Sequence, residues 1–219
     1  MEPLVRLKSV ACALPQINID TDQVFPARFM KEPRTPPAGY SPYLFHDVRR
    51  DAAGRHDPAF ALNQPENASA KIIVARRNFG SGSSREAAVY ALVDAGIRCV
   101  IAPSHGDIFA ANAVNNGLLP ACIDEGDAEQ LLTLLAPGGI DAEVDLEAQK
   151  IRLAEREFAF RIDPVWRVRL INGWDDIDMT RRFSQHIDDW SARDAKLRPW
   201  ARLHGTLLAT KPVERSEPV

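Results

Sequence analysis

The chain has 219 residues, of which 45% are hydrophobic, and this length and composition are sufficient for a globular core. A formal net charge of -3 at pH 7 gives no positive field for nucleic acid or an anionic membrane, so we expect neither as a partner. No apolar run is long enough to cross a bilayer and the N-terminus lacks the layout of a secretion signal, so the sequence predicts a cytoplasmic protein.

The N-terminal part of the chain contains a strand, a polar loop and a proline-rich segment. Residues 4–13 alternate loosely between apolar and polar side chains, which predicts a first β-strand. The loop 18–22 is rich in side chains that hydrogen-bond their own backbone; we expect Asp20 to support a functional site and interpret Asp22 as part of a simple turn. Six prolines within residues 32–66 predict a long and partly mobile excursion.

The central part of the chain alternates between strand-like and helix-like segments. Strands are predicted over 71–75, 98–102 and 118–123, and helices over 86–95 and 106–115. Alternation of this kind is typical of parallel strands that are joined by helical crossovers. We therefore expect ligands at the carboxyl edge of these strands.

The C-terminal third predicts a different arrangement. A helix is predicted over 125–136, and short alternating strands within 140–162 indicate an antiparallel annex. Two more helices are predicted over 163–171 and 180–192, the second of them amphipathic. The short, polar tail beyond residue 211 is expected to be disordered.

The loop between the strand at 71–75 and the following helix is suited to hold an anion. Residues 78–86 read Asn-Phe-Gly-Ser-Gly-Ser-Ser-Arg-Glu. Gly80 and Gly82 let the backbone approach a ligand, and the N-terminus of the helix favours negative charge. Arg85 adds a permanent cation whose fork suits a carboxylate or a phosphate.

Three common loop motifs are excluded at this junction. A phosphate-binding loop needs Gly-Lys-Ser/Thr, a dinucleotide fingerprint needs glycine at Arg85, and a nucleophile elbow needs glycine at Glu86. The structural alternative is a turn in which Ser83 or Ser84 caps the helix. The concentration of glycine, serine and arginine at one junction favours a binding site.

Metal ligands are not clustered in this sequence. Cys12, Cys99 and Cys122 are widely spaced and form no Cys-x-x-Cys pair, which argues against an iron-sulfur or zinc site within the chain. Any metal would then be held by a partner. His105 opens the second crossover helix and is attractive as a general acid, but a histidine beside a helix cap is more often structural, so it is left out of the catalytic set.

The loop 78–86 resembles the Asn-Phe-Gly-Cys-Gly-Ser-Ser-Arg-Glu-His signature of the small subunits of 3-isopropylmalate dehydratase, which are similar to the swivelling domain of aconitase. The resemblance covers about residues 4–190. Further matching segments follow in the family's order at 18–22, 25–26, 101–104, 107–109, 115–120, 145–149, 172–173 and 176–177.

The resemblance implies an α/β fold of the aconitase swivelling type. This fold is layered β/β/α with a partly open barrel, in which parallel strands are joined by helices and short antiparallel strands are added. One domain is expected over residues 1–200, with the proline-rich excursion near 32–66, followed by a C-terminal tail over 201–219.

The resemblance also implies a hydro-lyase subunit. It would isomerise 2-isopropylmalate and 3-isopropylmalate by dehydration and rehydration in leucine biosynthesis, and only together with a large subunit that carries a four-iron four-sulfur cluster. No cofactor or metal is expected in this chain. By the family pattern Ser83 is the catalytic base and Arg85 grips the substrate carboxylate, while Ser84, Gly82 and Asp20 lie on the substrate side.

Two departures from the family pattern leave the substrate open. Ser81 stands where the family has cysteine and Ala87 where it has histidine, so a related hydro-lyase acting on another hydroxy-diacid such as citramalate is an alternative. A non-catalytic anion-binding module is a third interpretation, from a different functional class.

Substrate choice is expected to depend on the loop after Pro26. Its cations Arg28 and Lys31 are candidates for contacting the side chain or the distal carboxylate of the substrate. Three neighbouring residues are candidates as well: Phe29, Met30 and Arg34. The alternative is a solvated loop with scattered positive charges.

Overall fold

The computed structural model describes residues 1–201, and the contacts within the chain divide it into two units, 1–177 and 178–219. Unit 1 is organised by a mixed seven-stranded sheet. Its strands are β1 (Arg6–Leu14), β2 (Ile72–Ala75), β3 (Cys99–Ala102), β4 (Leu119–Cys122), β5 (Ile140–Asp145), β6 (Lys150–Leu153) and β7 (Arg156–Ala159).

The strand order β4-β3-β2-β1-β5-β6-β7 combines a parallel half with an antiparallel half. β1, β2, β3 and β4 pair in parallel, and β1, β5, β6 and β7 pair antiparallel. The predicted parallel strands and the predicted antiparallel annex are both confirmed. β1 joins the two halves because it pairs with β2 on one side and with β5 on the other.

The sheet of unit 1 curls until its two ends meet. The backbone N–H of Cys122, at the end of β4, donates to the carbonyl of Arg161 at 3.0 Å, and the N–H of Arg161 donates back at 2.7 Å. Since Arg161 follows β7, these two bonds connect the opposite ends of the strand order. They produce the partly open barrel that the family resemblance predicted.

Helices cover both faces of the parallel half. β2 is buried on both faces; Ile72 and Val74 belong to one apolar cluster, and Ile73 and Ala75 to another. This alternation explains why the strand reads as a continuous apolar run. The helices that lie wholly in unit 1 are α1 (Thr21–Val24), α2 (Glu86–Asp94), α3 (Asp107–Asn115), α4 (Glu125–Leu135) and α5 (Pro164–Asn172). Two more helices follow along the chain, α6 (Asp176–Arg181) and α7 (Ser184–Leu197).

The proline-rich excursion belongs to unit 1 and contains short 3-10 turns. Leu44 and Phe45 are buried in the apolar cluster that contains Ile73, and the N–H of Phe45 donates to Val24 at 2.8 Å. Its predicted mobility stays a prediction. Its 3-10 turns are Ser41–Tyr43, Ala61–Asn63 and Pro65–Asn67, and a further 3-10 turn, Ala27–Lys31, precedes it.

The described part of unit 2 contains α7 and a 3-10 turn, Pro199–Ala201. The single helix predicted over 180–192 is wrong, because α6 ends at Arg181 and α7 begins at Ser184. The tail predicted to be disordered lies outside the described residues, and the limits of one domain over 1–200 stay a prediction. Over residues 1–201, no helix combines the length and the hydropathy that a membrane span requires.

Candidate functional site

Three chain segments meet at the carboxyl edge of the parallel strands. The N–H groups of Asn78 and Phe79 donate to the carbonyl of Ser104 at 2.9 and 3.1 Å, which ties the loop after β2 to the segment after β3. The N–H of Gly80 donates to the carbonyl of Ile19 at 2.7 Å, which ties the same loop to the segment after β1. The loop 78–86 is therefore held on both sides, as expected for a ligand site of a parallel sheet.

Two glycines make this close approach possible. Gly80 has φ +72°, and a Cβ added there would lie 2.2 Å from the ring of Phe109. A Cβ at Gly106 would lie 2.6 Å from the carbonyl oxygen of Gly80. Any larger residue at either position would push the loop away from α3.

Ser83 is hydrogen-bonded to Thr21, 62 residues earlier in the chain. The Ser83 N–H donates to Thr21 Oγ1 at 3.2 Å, and Thr21 Oγ1 also lies 3.1 Å from Ser83 Oγ and 3.2 Å from the Ser83 carbonyl oxygen. Thr21 is buried with 1% of its surface exposed, whereas Ser83 is half-buried. Ser83, the candidate base, is thus held by hydrogen bonds to Thr21, and part of its surface is still exposed to solvent.

Arg85 forms an ion pair with Asp22 through its Nη1 atom. The guanidinium side chain is 25% exposed, so it is partly ordered by this pair and still accessible. The interpretation of Asp22 as part of a simple turn is therefore wrong. Apart from the presence of both charges, nothing in the sequence indicates this pair, because 63 residues separate Asp22 from Arg85.

The N-cap of α2 is Arg85, and its side chain makes no capping hydrogen bond. The structural alternative, in which Ser83 or Ser84 caps the helix, is therefore wrong. Because the side chain of Arg85 does not cap the helix, the first backbone N–H groups of α2 donate no hydrogen bond to their N-cap side chain. These N–H groups and the positive end of the helix dipole favour an anion at this edge.

Asp20 stabilises the helix that carries Thr21. Its Oδ1 accepts the N–H of Gln23 at 2.7 Å, and Gln23 Oε1 accepts the N–H of Asp20 at 3.1 Å, which forms a capping box. Thr21 N–H donates to the carbonyl of Ser81 at 2.9 Å, next to the backbone bridge between Asp20 and Ser81. Asp20 therefore lies beside the loop, and its role on the substrate side stays a prediction.

A groove of about 210 Å³ runs along the loop. It is lined by the backbone of the loop and by the start of α3, and Gly82 is an exposed residue of this lining. Sequence reasoning did not name Ile108 as a site residue, although it lies in the segment 107–109 that matches the family. Ile108 lines the groove and is 55% exposed. The lining residues are Gly80, Ser81, Gly82, Ser83, Gly106, Asp107, Ile108 and Phe109. Ser84 is exposed next to this groove and is not among them.

The cations after Pro26 lie on the 3-10 turn Ala27–Lys31. Arg28 is already paired with Asp47, with 2.6 Å between Nη1 and Oδ2, and this pair holds the pKa of the Asp47 carboxyl well below its usual range. Lys31 is exposed and forms no ion pair within residues 1–201. In the same part of the chain neither cation is hydrogen-bonded to the loop 78–86, so their roles in reading the substrate stay predictions.

Arg34 links the proline-rich excursion to α2 through contacts with Asp94 and Tyr90. Its Nε and Nη2 atoms lie 2.8 and 2.6 Å from the two oxygens of Asp94, and its guanidinium carbon lies 4.1 Å from the centre of the Tyr90 ring. Asp94 also accepts the N–H of Tyr40 at 2.7 Å. These contacts occupy the guanidinium group of Arg34 with structural partners.

His105 is crowded by its neighbours, although part of its surface reaches solvent. Burial lowers its pKa from 6.5 to about 4, so the ring is neutral at physiological pH. Its Nε2 lies 3.2 Å from the carbonyl oxygen of Val100 and its Nδ1 lies 3.5 Å from Cys122 Sγ. A neutral ring whose two nitrogens both have partners is consistent with leaving His105 out of the catalytic set.

The described residues contain no ligand set for a metal. Among residues 1–201, no group of three or more histidine, cysteine, aspartate and glutamate side chains is arranged to hold a metal ion. Cys12 and Cys99 are buried, and burial raises the pKa of both thiols, which disfavours the thiolate form that binds iron. These residues do not fit an iron-sulfur cluster.

The chain is similar to known proteins over most of its length. Residues 1–126 match the family of the aconitase C-terminal domain. The 3-isopropylmalate dehydratase small subunit of Rhodospirillum centenum is 45% identical over 204 residues, which are 92% of this chain and 99% of that protein. The chain belongs to the family of 3-isopropylmalate dehydratase small subunits.

Other relatives agree with this membership. The small subunit of Bacillus subtilis is 41% identical over 194 residues, which cover 88% of this chain and 96% of that one. The solved structure of 3-isopropylmalate dehydratase from Methanocaldococcus jannaschii matches with a TM-score of 0.60 over 84% of this chain and 98% of that chain, at 24% identity. That likeness supports the fold alone.

Membership in the small-subunit family confirms the predicted aconitase-type swivelling fold. It also confirms, at the level of the family, the prediction of a subunit of a hydro-lyase. The roles assigned to Ser83 and Arg85 are not tested by the likeness and stay predictions.

Proposed function

We propose that this chain is the small subunit of a 3-isopropylmalate dehydratase and that it works in the cytoplasm with a large iron-sulfur subunit. The assembled enzyme isomerises 2-isopropylmalate and 3-isopropylmalate by dehydration and rehydration in leucine biosynthesis. One observation supports this proposal most strongly. Ser83 and Arg85 share one loop beside a groove, and buried Thr21 and the Asp22 carboxylate hold them there.

In this proposal Ser83 is the base and Arg85 binds a substrate carboxylate. Ser83 Oγ, in its alkoxide form, takes the proton from the carbon next to that carboxylate. The electron pair of the broken C–H bond forms the double bond of the unsaturated diacid, and the hydroxyl group leaves from the neighbouring carbon as hydroxide. The iron-sulfur cluster of the large subunit would supply the Lewis acid that accepts this hydroxide. On rehydration Ser83 Oγ–H gives its proton to the carbon that lost the hydroxyl group. Hydroxide adds to the carbon that lost the proton, which yields the isomer and restores the alkoxide.

A serine hydroxyl needs help to act as a base. A helix N-terminus stabilises an anion by only about 0.3 to 1 kcal/mol, and by up to about 2 kcal/mol in favourable sites. At about 1.4 kcal/mol for each pKa unit, this lowers the pKa of Ser83 by little more than one unit. The rest must come from Arg85, from hydrogen-bond donors directed at Ser83, and from the exclusion of water when a partner covers the groove.

The proposed cluster belongs to the large subunit. The cysteines of the described residues do not fit such a group, so the proposal assigns to this chain the proton transfer and contacts with the substrate. Ser84, Gly82 and Asp20 are proposed to lie on the substrate side, and Arg28 and Lys31 to face the distal part of the substrate.

The proposal is tested by reconstitution. The full chain should capture a larger protein that contains iron and sulfide from a lysate of its host, and the assembled pair should interconvert 2- and 3-isopropylmalate. Ser83→Ala should abolish turnover while capture of the large subunit persists. Full activity of Ser83→Ala in the assembled pair would remove Ser83 from its role, and failure to capture such a subunit would favour a non-catalytic anion-binding module.

A related hydroxy-diacid such as citramalate is the second candidate substrate. It is favoured by Ser81 and Ala87, two departures from the family signature within and beside the loop. Comparing kcat/KM of the assembled enzyme for isopropylmalate and citramalate separates the two. A ratio above about 10 in either direction is a difference of about 1.4 kcal/mol, the scale on which an apolar pocket discriminates a single methylene group.

A further inference from the structure

We propose that Thr21 is a positioning residue that holds Ser83 in place and donates a hydrogen bond to its oxygen once the Ser83 proton is lost. The inference rests on the proposed function, because it assigns a task to Thr21 within the same site. It is carried by the contacts between the two residues and by the burial of Thr21.

Thr21 is fixed in position by its own backbone. It is the first residue of α1, its N–H donates to the carbonyl of Ser81 at 2.9 Å, and its carbonyl accepts the N–H of Phe25 at 2.9 Å. Only 1% of its surface is exposed. The Thr21 hydroxyl therefore faces the loop from a residue whose backbone is fixed and whose surface is shielded from water.

The Thr21 hydroxyl has three neighbouring polar atoms and one proton. Its oxygen accepts the N–H of Ser83 at 3.2 Å. Its proton can go to the Ser83 carbonyl oxygen at 3.2 Å or to Ser83 Oγ at 3.1 Å. These two acceptors compete, because a hydroxyl group has a single donor.

This competition matches the two protonation states of Ser83. While Ser83 keeps its proton, its hydroxyl can donate to Thr21 Oγ1, and the Thr21 proton goes to the Ser83 carbonyl. Once Ser83 is an alkoxide, it is an acceptor only, and rotation of the Thr21 hydroxyl brings that proton to Ser83 Oγ. No heavy atom has to move, so the site is preorganised for the charged state.

A merely structural threonine would behave differently. Its methyl group would fill space and its oxygen would accept the Ser83 N–H, but neither would respond to the protonation of Ser83. Thr21→Val keeps the branched shape and removes the hydroxyl, and Thr21→Ser keeps the hydroxyl and removes the methyl group. The matched pair therefore separates the two roles.

The test uses the full chain assembled with the large subunit. Thr21→Val should lower kcat for isopropylmalate by about 10-fold to 100-fold, the effect of one hydrogen bond to a charged group, with KM changed by less than about 2-fold. The ascending limb of the kcat–pH profile should move to higher pH by about one unit, because the base loses a donor that stabilises its charged form. Thr21→Ser should stay close to the wild type in both respects.

The possible outcomes separate this inference from the proposed function. If the assembled wild-type enzyme turned over isopropylmalate and Thr21→Val kept its kcat and pH profile, the inference alone would be overturned. If the wild-type pair had no activity on any hydroxy-diacid, the proposed function would fail and the inference with it.

A second measurement covers the case in which Thr21→Val does not fold. Hydrogen exchange of the Ser83 amide, followed by NMR in the full chain, reports on the bond to Thr21 Oγ1 directly. We expect slow exchange in the wild type and in Thr21→Ser. Exchange of this amide at the rate of an unprotected loop in the wild type would overturn the inference.

Discussion

One oxygen of Asp22 connects Arg85 to the turn that carries Arg28 and Lys31. Asp22 Oδ1 accepts from Arg85 Nη1 and also from the N–H of Ala27, which lies 3.3 Å away. The orientation of Arg85, which is proposed to bind the substrate carboxylate, is thereby linked to the start of the segment that is proposed to contact the rest of the substrate.

Removal of the Asp22 carboxylate should weaken substrate binding. Asp22→Ala leaves Arg85 without its ion pair, and because the pair is partly exposed we expect KM to rise by only about 3-fold to 10-fold, with kcat changed less. The measurement is steady-state kinetics of the assembled enzyme. Asp22→Asn is the matched control, since its amide oxygen still accepts a hydrogen bond; a lower KM in Asp22→Ala would mean that Asp22 competes with the substrate for Arg85.

Gly80 should tolerate no side chain. The Cβ of Gly80→Ala would lie 2.2 Å from the Phe109 ring and would require φ +72°, so we expect the free energy of unfolding to fall by about 1 to 3 kcal/mol. Urea denaturation measures this loss. Gly126→Ala is the control, because nothing lies within 4 Å of its Cβ, and it should be neutral or slightly stabilising. Equal stability of the two variants would contradict the packing argument.

Arg34 should matter for stability more than for substrate choice. Arg34→Ala removes a two-point contact with Asp94 and the stacking on Tyr90, so the free energy of unfolding should fall by about 1 kcal/mol. The ratio of kcat/KM for isopropylmalate and citramalate should not change. Lys31→Ala is the comparison variant, since Lys31 is exposed and its loss should leave the unfolding midpoint unchanged. A changed substrate ratio in Arg34→Ala would return Arg34 to the residues that read the substrate.

His105 should make the fold sensitive to mild acid. Burial lowers its folded pKa from 6.5 to about 4, so between these pH values the unfolded chain binds more protons than the folded one, and stability falls as pH falls through this window. We expect a loss of about 1 to 3 kcal/mol between pH 7 and pH 4, as an order of magnitude. His105→Gln cannot titrate, so its unfolding free energy in urea should depend less on pH over the same window. An identical pH dependence in the two proteins would contradict a buried neutral ring.

The strands and the loop could be predicted because their signals are local. The apolar run of β2 and the glycine-rich junction that follows depend on residues close together in the chain, and the family signature lies in the same stretch. The split between α6 and α7 was missed, because an amphipathic pattern continues past Phe183 and does not reveal where the backbone breaks.

Contacts between distant segments could not be predicted in this way. Nothing near Asp22 in the sequence indicates that Arg85 is its partner, and nothing near Thr21 indicates that its hydroxyl contacts Ser83. The closure of the sheet through Cys122 and Arg161 is of the same kind, since it depends on how strongly the strands twist and coil over the whole sheet.

The amino-acid sequence by itself determined the succession of strands and helices along the chain, the position of the glycine-rich loop that is proposed to bind an anion, and the family of the chain. Hydrophobic period, glycine placement and a contiguous motif all depend on residues that are close together in the sequence. The tertiary structure alone decided which side chains support Ser83 and Arg85, since that depends on parallel strands bringing the ends of β1, β2 and β3 to one edge. Hydrogen bonds and ion pairs act over about 3 to 4 Å in space. They do not depend on sequence separation, which is 62 residues between Thr21 and Ser83 and 63 residues between Asp22 and Arg85.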